Sequence, residues 1–363
     1  MAVYKIFPSQ DATLYSAFPS QNTGLDEILE VAVQNQFASV NGSTINYSTE
    51  DIRRALIMFS NTDLTKIKQF TTGSWQAKLR LFLANANNLN TNYNLEIHQV
   101  SQSWDMGTGK FVDNPVTTNG VCWNSTSSYV GANTSWNTPS YYTVPGGGSW
   151  TSTFTTQSFI YTSEKDLNAD VTLIVDSWFS ASVPNAGFLV KHSSSIENNS
   201  GSYIGLSFFS TDTHTIYPPV LEMKWDDSSY ITGSLDVINN SNFIIKVNNN
   251  VDKFKYGTEK YRIQLTARDK FPTRIFTTAS LYTVNKALTQ NSYWAIQDIK
   301  TEDIVIDFDT TYTKISCDGS YSYFDLYMNG LEPERYYKVL VKTQLPTYEF
   351  IEIDNDLIFK ITR

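Results

Sequence analysis

The chain has 363 residues, 41% of them hydrophobic, 17% charged and 14% aromatic, with a formal net charge of -9. That apolar content excludes global disorder, and an acidic chain with no run of Lys or Arg excludes a general phosphate-binding surface, so no nucleic-acid partner is expected. No apolar run approaches the roughly 18 residues of a membrane-spanning helix, and the start Met1-Ala2-Val3-Tyr4-Lys5 has no basic-then-apolar leader, which predicts a soluble chain with no membrane partner and no ordinary export.

In chain order, the first helix signal covers 48–56, where Ser48 and Thr49 precede Glu50 and Asp51, although 54–59 reads equally well as a strand. A second, at 60–67, predicts a single turn. Alternating strands follow at 77–83, with Leu79, Leu81 and Leu83 on one face, at 95–100 and at 171–175. Residues 107–160 are rich in Gly, Asn, Ser, Thr, Tyr and Trp. They predict long excursions between strands, with Gly146-Gly147-Gly148 as a flexible stretch. Tyr217-Pro218-Pro219 leads into a strand at 220–223, and the polar run Lys224 to Ser229 marks a boundary. Strands at 302–309, 336–341 and 357–361 complete the pattern. Many short strands between polar turns predict an all-β chain of two β-sandwich domains, 1–226 and 227–363. Cys122 and Cys317 fall in different domains and are expected to be small buried side chains rather than a bridge.

Chemistry is hard to place on this pattern. His98, His192 and His214 have no Ser or Cys motif beside them, and no G-x-S-x-G turn exists, so no catalytic residue is expected and the chain is not read as an enzyme. His98 lies on the strand face opposite Leu95 and Ile97. Zinc-ligand spacing is missing. Asp303, Asp307 and Asp309 share the face opposite Ile304, Ile306 and Phe308. Such carboxylates either hold Ca²⁺ or form a solvated face, and the solvated face is favoured, so no cofactor is expected. Asp226-Asp227 is a weaker candidate of the same kind. Trp123, Tyr129, Trp136, Tyr141, Tyr142 and Trp150 crowd the loop-rich stretch. Aromatic groups of this sort anchor protein interfaces, pack internally or stack on sugars, and the interface reading is favoured. Nothing marks a glycosidase pair; Asp105 and Asp113 are carboxylates near the aromatic stretch.

Ordered motifs also carry a family resemblance. Asp11-Ala12-Thr13-Leu14-Tyr15-Ser16, Asn22-Thr23-Gly24, Arg54-Ala55-Leu56-Ile57-Met58-Phe59, Ala77-Lys78-Leu79-Arg80-Leu81, Trp104, Asp170-Val171-Thr172 with Trp178, and Asn185-Ala186-Gly187-Phe188-Leu189 together resemble the DNRLRE-type domain. The resemblance implies a jelly-roll sandwich, similar to carbohydrate-binding modules, over most of 8–225. Gly24 and Gly187 then suit turns that need positive φ. The second domain is similar to the tail half of virion proteins from large tailed phages. Its marks are Arg268 to Arg274, Asp307-Phe308-Asp309, Thr313 to Ser316, Asn329 to Lys338 and the terminal Phe359-Lys360-Ile361-Thr362-Arg363. Together these imply a non-enzymatic structural protein in the virion of a tailed bacteriophage (tail, baseplate, neck or head surface). Its expected partners are other virion proteins and its own copies. The alternative is an adhesin module that binds host-surface glycans.

Overall fold

A computed structural model of the chain describes residues 2–40, 43–87, 89, 92–128, 135–137, 146–160, 162, 164–198, 204–248, 252–257, 260–272 and 284–363, with backbone only at 35–40, 43–50 and 354–356. It is nearly all β, 48% strand and 8% helix, as the strand periodicity predicts. Two compact units divide the chain, one of Ile6–Phe70 with Gln76–Glu222, the other of Met1–Lys5, Thr71–Trp75 and Met223–Arg363. The second unit thus includes 1–5 and 71–75, which the sequence reading places in the first domain. Val3 gives the physical reason, being buried in the same core as Trp294 and Phe324.

The first unit is organised by an eight-stranded sheet. Its order is Leu83–Asn87, Ile204–Phe209, Ile28–Val40, Ser43–Phe59, Phe188–His192, Tyr93–Val100 and Trp150–Phe159, with Pro8–Tyr15 also paired to Ser43–Phe59. Strand Ser43–Phe59 shows why both faces are covered. Arg54, Leu56 and Met58 point one way, Ala55, Ile57 and Phe59 the other, and a strand that is apolar on both sides must be buried on both. On one face, Leu56, Ile52, Leu14 and Leu189 pack against Trp104, Val121, Trp123, Trp136 and Trp150, so the long excursion forms a covering layer. On the other, Phe188 meets Phe59 at 6.0 Å and Trp178 at 4.8 Å between ring centres.

A four-stranded sheet has the order Ala2–Ile6, Val220–Trp225, Trp75–Leu81 and Leu167–Asp170. The second unit pairs a seven-stranded sheet around Lys260–Asp269 and Ser322–Tyr327 with a five-stranded sheet around Ser292–Asp298, Tyr336–Gln344 and Phe350–Thr362. Ile263, Leu265, Phe324 and Leu326 of the first join Trp294, Ile296, Val339, Val341 and Phe359 of the second in one core, and Trp294 stacks on Phe324 at 4.7 Å. Interdigitation of two inner faces in this way is what makes a sandwich.

Three expectations for local structure change. The helix signal at 48–56 is strand, because Ile52, Arg54 and Leu56 are all buried at a spacing of two. The single turn at 60–67 is a ten-residue helix, Asn61–Phe70, with Leu64 and Ile67 buried one turn apart and Asp63 and Lys68 placed favourably for the helix dipole. The strand at 171–175 is helix Thr172–Phe179. Asp170 accepts from the Thr172 amide at 3.0 Å and from its hydroxyl at 2.6 Å. Ile174, Val175 and Trp178 are then buried while Leu173 is 78% exposed. A short apolar run has no periodicity that separates the two outcomes, and here the local turn decides.

Candidate functional site

A cluster of charged groups lies inside the first unit. Arg54 projects from its strand into the aromatic layer and donates to Glu197 from Nε at 3.0 Å and from a terminal nitrogen at 2.9 Å. A second terminal nitrogen donates to the Gly147 carbonyl at 2.8 Å. The guanidinium carbon sits 4.9 Å from the Trp123 ring centre and 5.2 Å from that of Trp150. Lys191 lies 3.3 Å from Glu197 and 3.2 Å from Glu96. The side chains of Arg54, Glu197 and Lys191 are 1%, 1% and 0% exposed. Burying ions in this way is tolerable only when each is paired and hydrogen-bonded. Burial alone would raise the Glu96 carboxyl, but hydrogen bonds from His98 and Lys191 hold it below its ordinary range. Burial lowers His98 and lowers His192 to about 4, so both rings are neutral at pH 7.

Gly146, Gly147 and Gly148 complete this cluster with φ of 93°, 71° and 108°. A Cβ on Gly147 would lie 2.6 Å from the Trp123 ring and 2.7 Å from the Arg54 guanidinium. The glycine run, expected to be flexible, is instead a close-fitting wall, and its Gly147 amide donates to Trp123 O at 2.7 Å.

The other motif residues are internal ties as well. The Thr211 amide and hydroxyl donate to Asp11 at 2.7 and 2.8 Å. Burial still pushes that carboxyl up to about 6, because desolvation outweighs these bonds. Asn22 donates to Met106 O and Val121 O and accepts from the Gly109 amide at 2.7 Å. Gly24 is required by close approach, since a Cβ there would lie 2.2 Å from Met106 O; its φ is not positive, contrary to the turn expected there. Gly187 does have positive φ, 86°. Trp104 donates to Ala186 O at 2.9 Å.

Of the predicted aromatic residues, Trp123, Trp136 and Trp150 are brought together, but as buried members of this core rather than an open face. Tyr129, Tyr141 and Tyr142 lie outside the described residues. Asp303, Asp307 and Asp309 are not gathered on one strand, because only Ile304–Ile306 is extended. Asp309 instead accepts from the amides of Thr311 at 2.8 Å and Tyr312 at 3.0 Å. Asp226 likewise accepts from the Ser228 amide at 2.9 Å. Among the described residues no group of three or more His, Cys, Asp or Glu side chains could hold a metal ion. Asp113 accepts from Thr117 and the Lys110 amide within its own turn, and hydrogen bonding from Thr117 lowers its pKa. Cys122 and Cys317 are both buried and free.

An apolar group is also exposed on this unit. Phe18, Phe111, Val112 and Val116 are exposed, Val112 at 82%. They stand on a firmly held turn. The Phe111 amide donates to Asp26 at 3.0 Å, Gln21 donates to the Phe111 carbonyl, and the Asn22 amide donates to Thr117 O at 2.9 Å. The Phe111 ring packs on Tyr15 at 4.7 Å and Phe18 at 5.3 Å. Sequence reasoning missed this ridge because it weighted Trp and Tyr, the residues with most to gain from burial. No family model and no curated protein matches this chain.

Proposed function

We propose that the chain is a non-enzymatic structural protein of a tailed bacteriophage particle, acting through contacts with its own copies and with other virion proteins. The observation that carries this reading is the ridge of Phe18, Phe111, Val112 and Val116, an exposed apolar surface on a turn held by several hydrogen bonds. A rigid apolar surface gains most from being covered by another protein. The motif resemblance of the second half to virion proteins of tailed phages points the same way. So does the inward placement of the charged groups: the Arg54–Glu197–Lys191 cluster is buried and mutually paired, and the His98 and His192 rings are buried as well.

The glycan-binding alternative is less well supported, because Trp123, Trp136 and Trp150 present no open ring face to a sugar. The test is mass spectrometry of washed particles, counting this chain against the major coat protein. We expect it in multiple copies, as symmetric assemblies reuse one patch on every subunit. Absence from washed particles would remove the structural reading.

A further inference from the structure

The second unit is assembled from separated stretches of chain, one of them Met1–Lys5. Among the described residues, Val3 is the one member of its core that comes from outside 223–363. Strand Ala2–Ile6 has five residues and all of them are buried, Lys5 included. It ends the order of the four-stranded sheet, next to Val220–Trp225.

Side chains alternate across a strand, so Val3 and Lys5 share one face and Tyr4 takes the other. Each of the three is tied into the second unit separately. Val3 belongs to the core that includes Met328 and Leu331. The Lys5 ammonium donates to the Val305 carbonyl at 2.5 Å. Its stem runs against Gly330, where a Cβ would lie 2.4 Å from Lys5 Cβ. The Tyr4 ring meets Tyr327 edge-on at 5.6 Å, and its hydroxyl accepts from Asn329 Nδ2 at 2.6 Å. Position 3 thus takes an apolar side chain, position 4 a phenol, and position 5 a long amine passing a glycine to reach a carbonyl. An extended segment beside a strand, with alternate side chains in separate pockets, is how proteins recognise peptide strands.

We propose that the second unit carries a strand-acceptor site, and that residues 2–6 of the same chain are its occupant. The ligand class is an extended peptide with an apolar residue, a tyrosine and a lysine at successive positions. Without it the core has a void where Val3 sits, and Val305 O and Asn329 Nδ2 each lose a buried partner. Voids and buried polar groups left without partners both destabilise. Residues 227–363, which read in sequence as a whole domain, are therefore incomplete on their own. The site goes beyond the particle-subunit reading and does not depend on it.

Val3→Asp in the full chain puts a carboxylate into this core and disables the occupant. Amide protection in Ser292–Asp298 and Ser322–Tyr327 should fall on the order of a hundredfold, because a buried unpaired charge costs more than a lost contact. Protection in Phe188–His192, in the other unit, should hold. A synthetic peptide of residues 1–7, added to the Val3→Asp chain, should bind saturably and restore protection in both strands. The same peptide carrying Val3→Asp should do neither, and one carrying Tyr4→Phe should bind about fivefold more weakly, the loss of one hydrogen bond. The unaltered chain, with its site filled, should not bind the peptide. As a second variant, Gly330→Ala presses on Lys5 and should speed amide exchange at residues 3–5 about tenfold or more. No rescue by the peptide, equal rescue by its aspartate form, equal binding to the unaltered chain, equal loss of protection in Phe188–His192, or unchanged exchange at 3–5 in Gly330→Ala would each overturn the site.

Discussion

Glu197→Gln tests whether the buried cluster holds the first unit together. The carboxylate neutralises Arg54 through two hydrogen bonds, 3.0 and 2.9 Å, and Lys191 at 3.3 Å. Glutamine keeps the shape and one acceptor but removes the carboxylate charge that faces both buried cations, while Lys191 keeps Glu96. Removing one partner of a buried pair costs about 3–5 kcal/mol. Because Lys191 keeps Glu96 at 3.2 Å and Arg54 keeps Gly147 O at 2.8 Å, the lower end, about 3 kcal/mol, is expected. Arg54→Met should lose a similar amount, since it takes two hydrogen bonds from the buried Glu197 carboxylate, which keeps Lys191 at 3.3 Å. The double variant removes one charge of each sign and leaves Lys191–Glu96 intact, so its loss should fall short of the sum by about 1–3 kcal/mol. Urea unfolding, with the first unit's transition followed by amide exchange in Phe188–His192, measures all three. A Glu197→Gln loss within about 0.5 kcal/mol, the range of ordinary surface changes, or strict additivity of the two substitutions, would refute the cluster's role.

Two of the groups that set the acid dependence act in opposite directions. Burial holds His192 at about 4, below its ordinary 6.5, so the unfolded chain binds the proton first and stability falls by about 3 kcal/mol as pH drops from 6.5 through 4. Asp11, held at about 6 against an ordinary 3.8, acts in reverse: the folded state binds the proton first, and stability rises by about 3 kcal/mol over nearly the same window. Asp11→Asn keeps an acceptor for Thr211 and removes the second contribution. It should therefore be at least as stable as the parent at pH 7 and lose more stability between pH 6 and pH 4, as read from melts across pH; an unchanged slope would refute the assignment. Gly147→Ala should lose about 1–2 kcal/mol from its positive φ alone, plus the overlap with Trp123 and Arg54, and a thermal melt indistinguishable from the parent would contradict the close-fitting wall. Chelator should leave the melting temperature unchanged, and a drop restored by Ca²⁺ would contradict the reading of Asp303, Asp307 and Asp309 as separate groups.

The strands were legible because their period is two wherever a sheet face is buried. Leu79 with Leu81, and Val339 with Val341, are buried as that period requires. Helix Thr172–Phe179 was not legible, because five apolar or β-branched residues carry no period of their own and the outcome turned on one carboxylate, Asp170. Similarly, Asp303 to Asp309 alternates in sequence but ends as a strand after Ile306, where Asp309 caps a turn. The charged cluster was half legible: Arg54 belongs to a motif, but Glu197, 143 positions away, has nothing local to mark it. Pairing across that separation is set by the fold and leaves no spacing to read. The apolar ridge was illegible for a related reason, since Val112 and Val116 are ordinary core residues until the turn that carries them is known to face outward.

Several residues of the motifs picked out in the sequence face inward. Asp11, Asn22, Arg54 and Trp104 are buried, and Gly187 lies where a Cβ would meet Ile57 O at 2.3 Å. A signature of internal ties specifies a framework, and a framework hosts many roles. What distinguishes this chain must then lie on the surfaces that the ties leave open. The chain carries a net charge of -9, so copies approaching each other repel unless they meet where charge is absent. The ridge at Phe111 and Val112 is apolar, and the charges beside it, Lys110 and Asp113, are opposite in sign. Association through it meets less of that repulsion than contacts elsewhere would, and it should depend far less on salt than association through charged surface. A contact between copies that strengthened steeply with added salt would mean that charged surface, rather than the apolar ridge, lies between them.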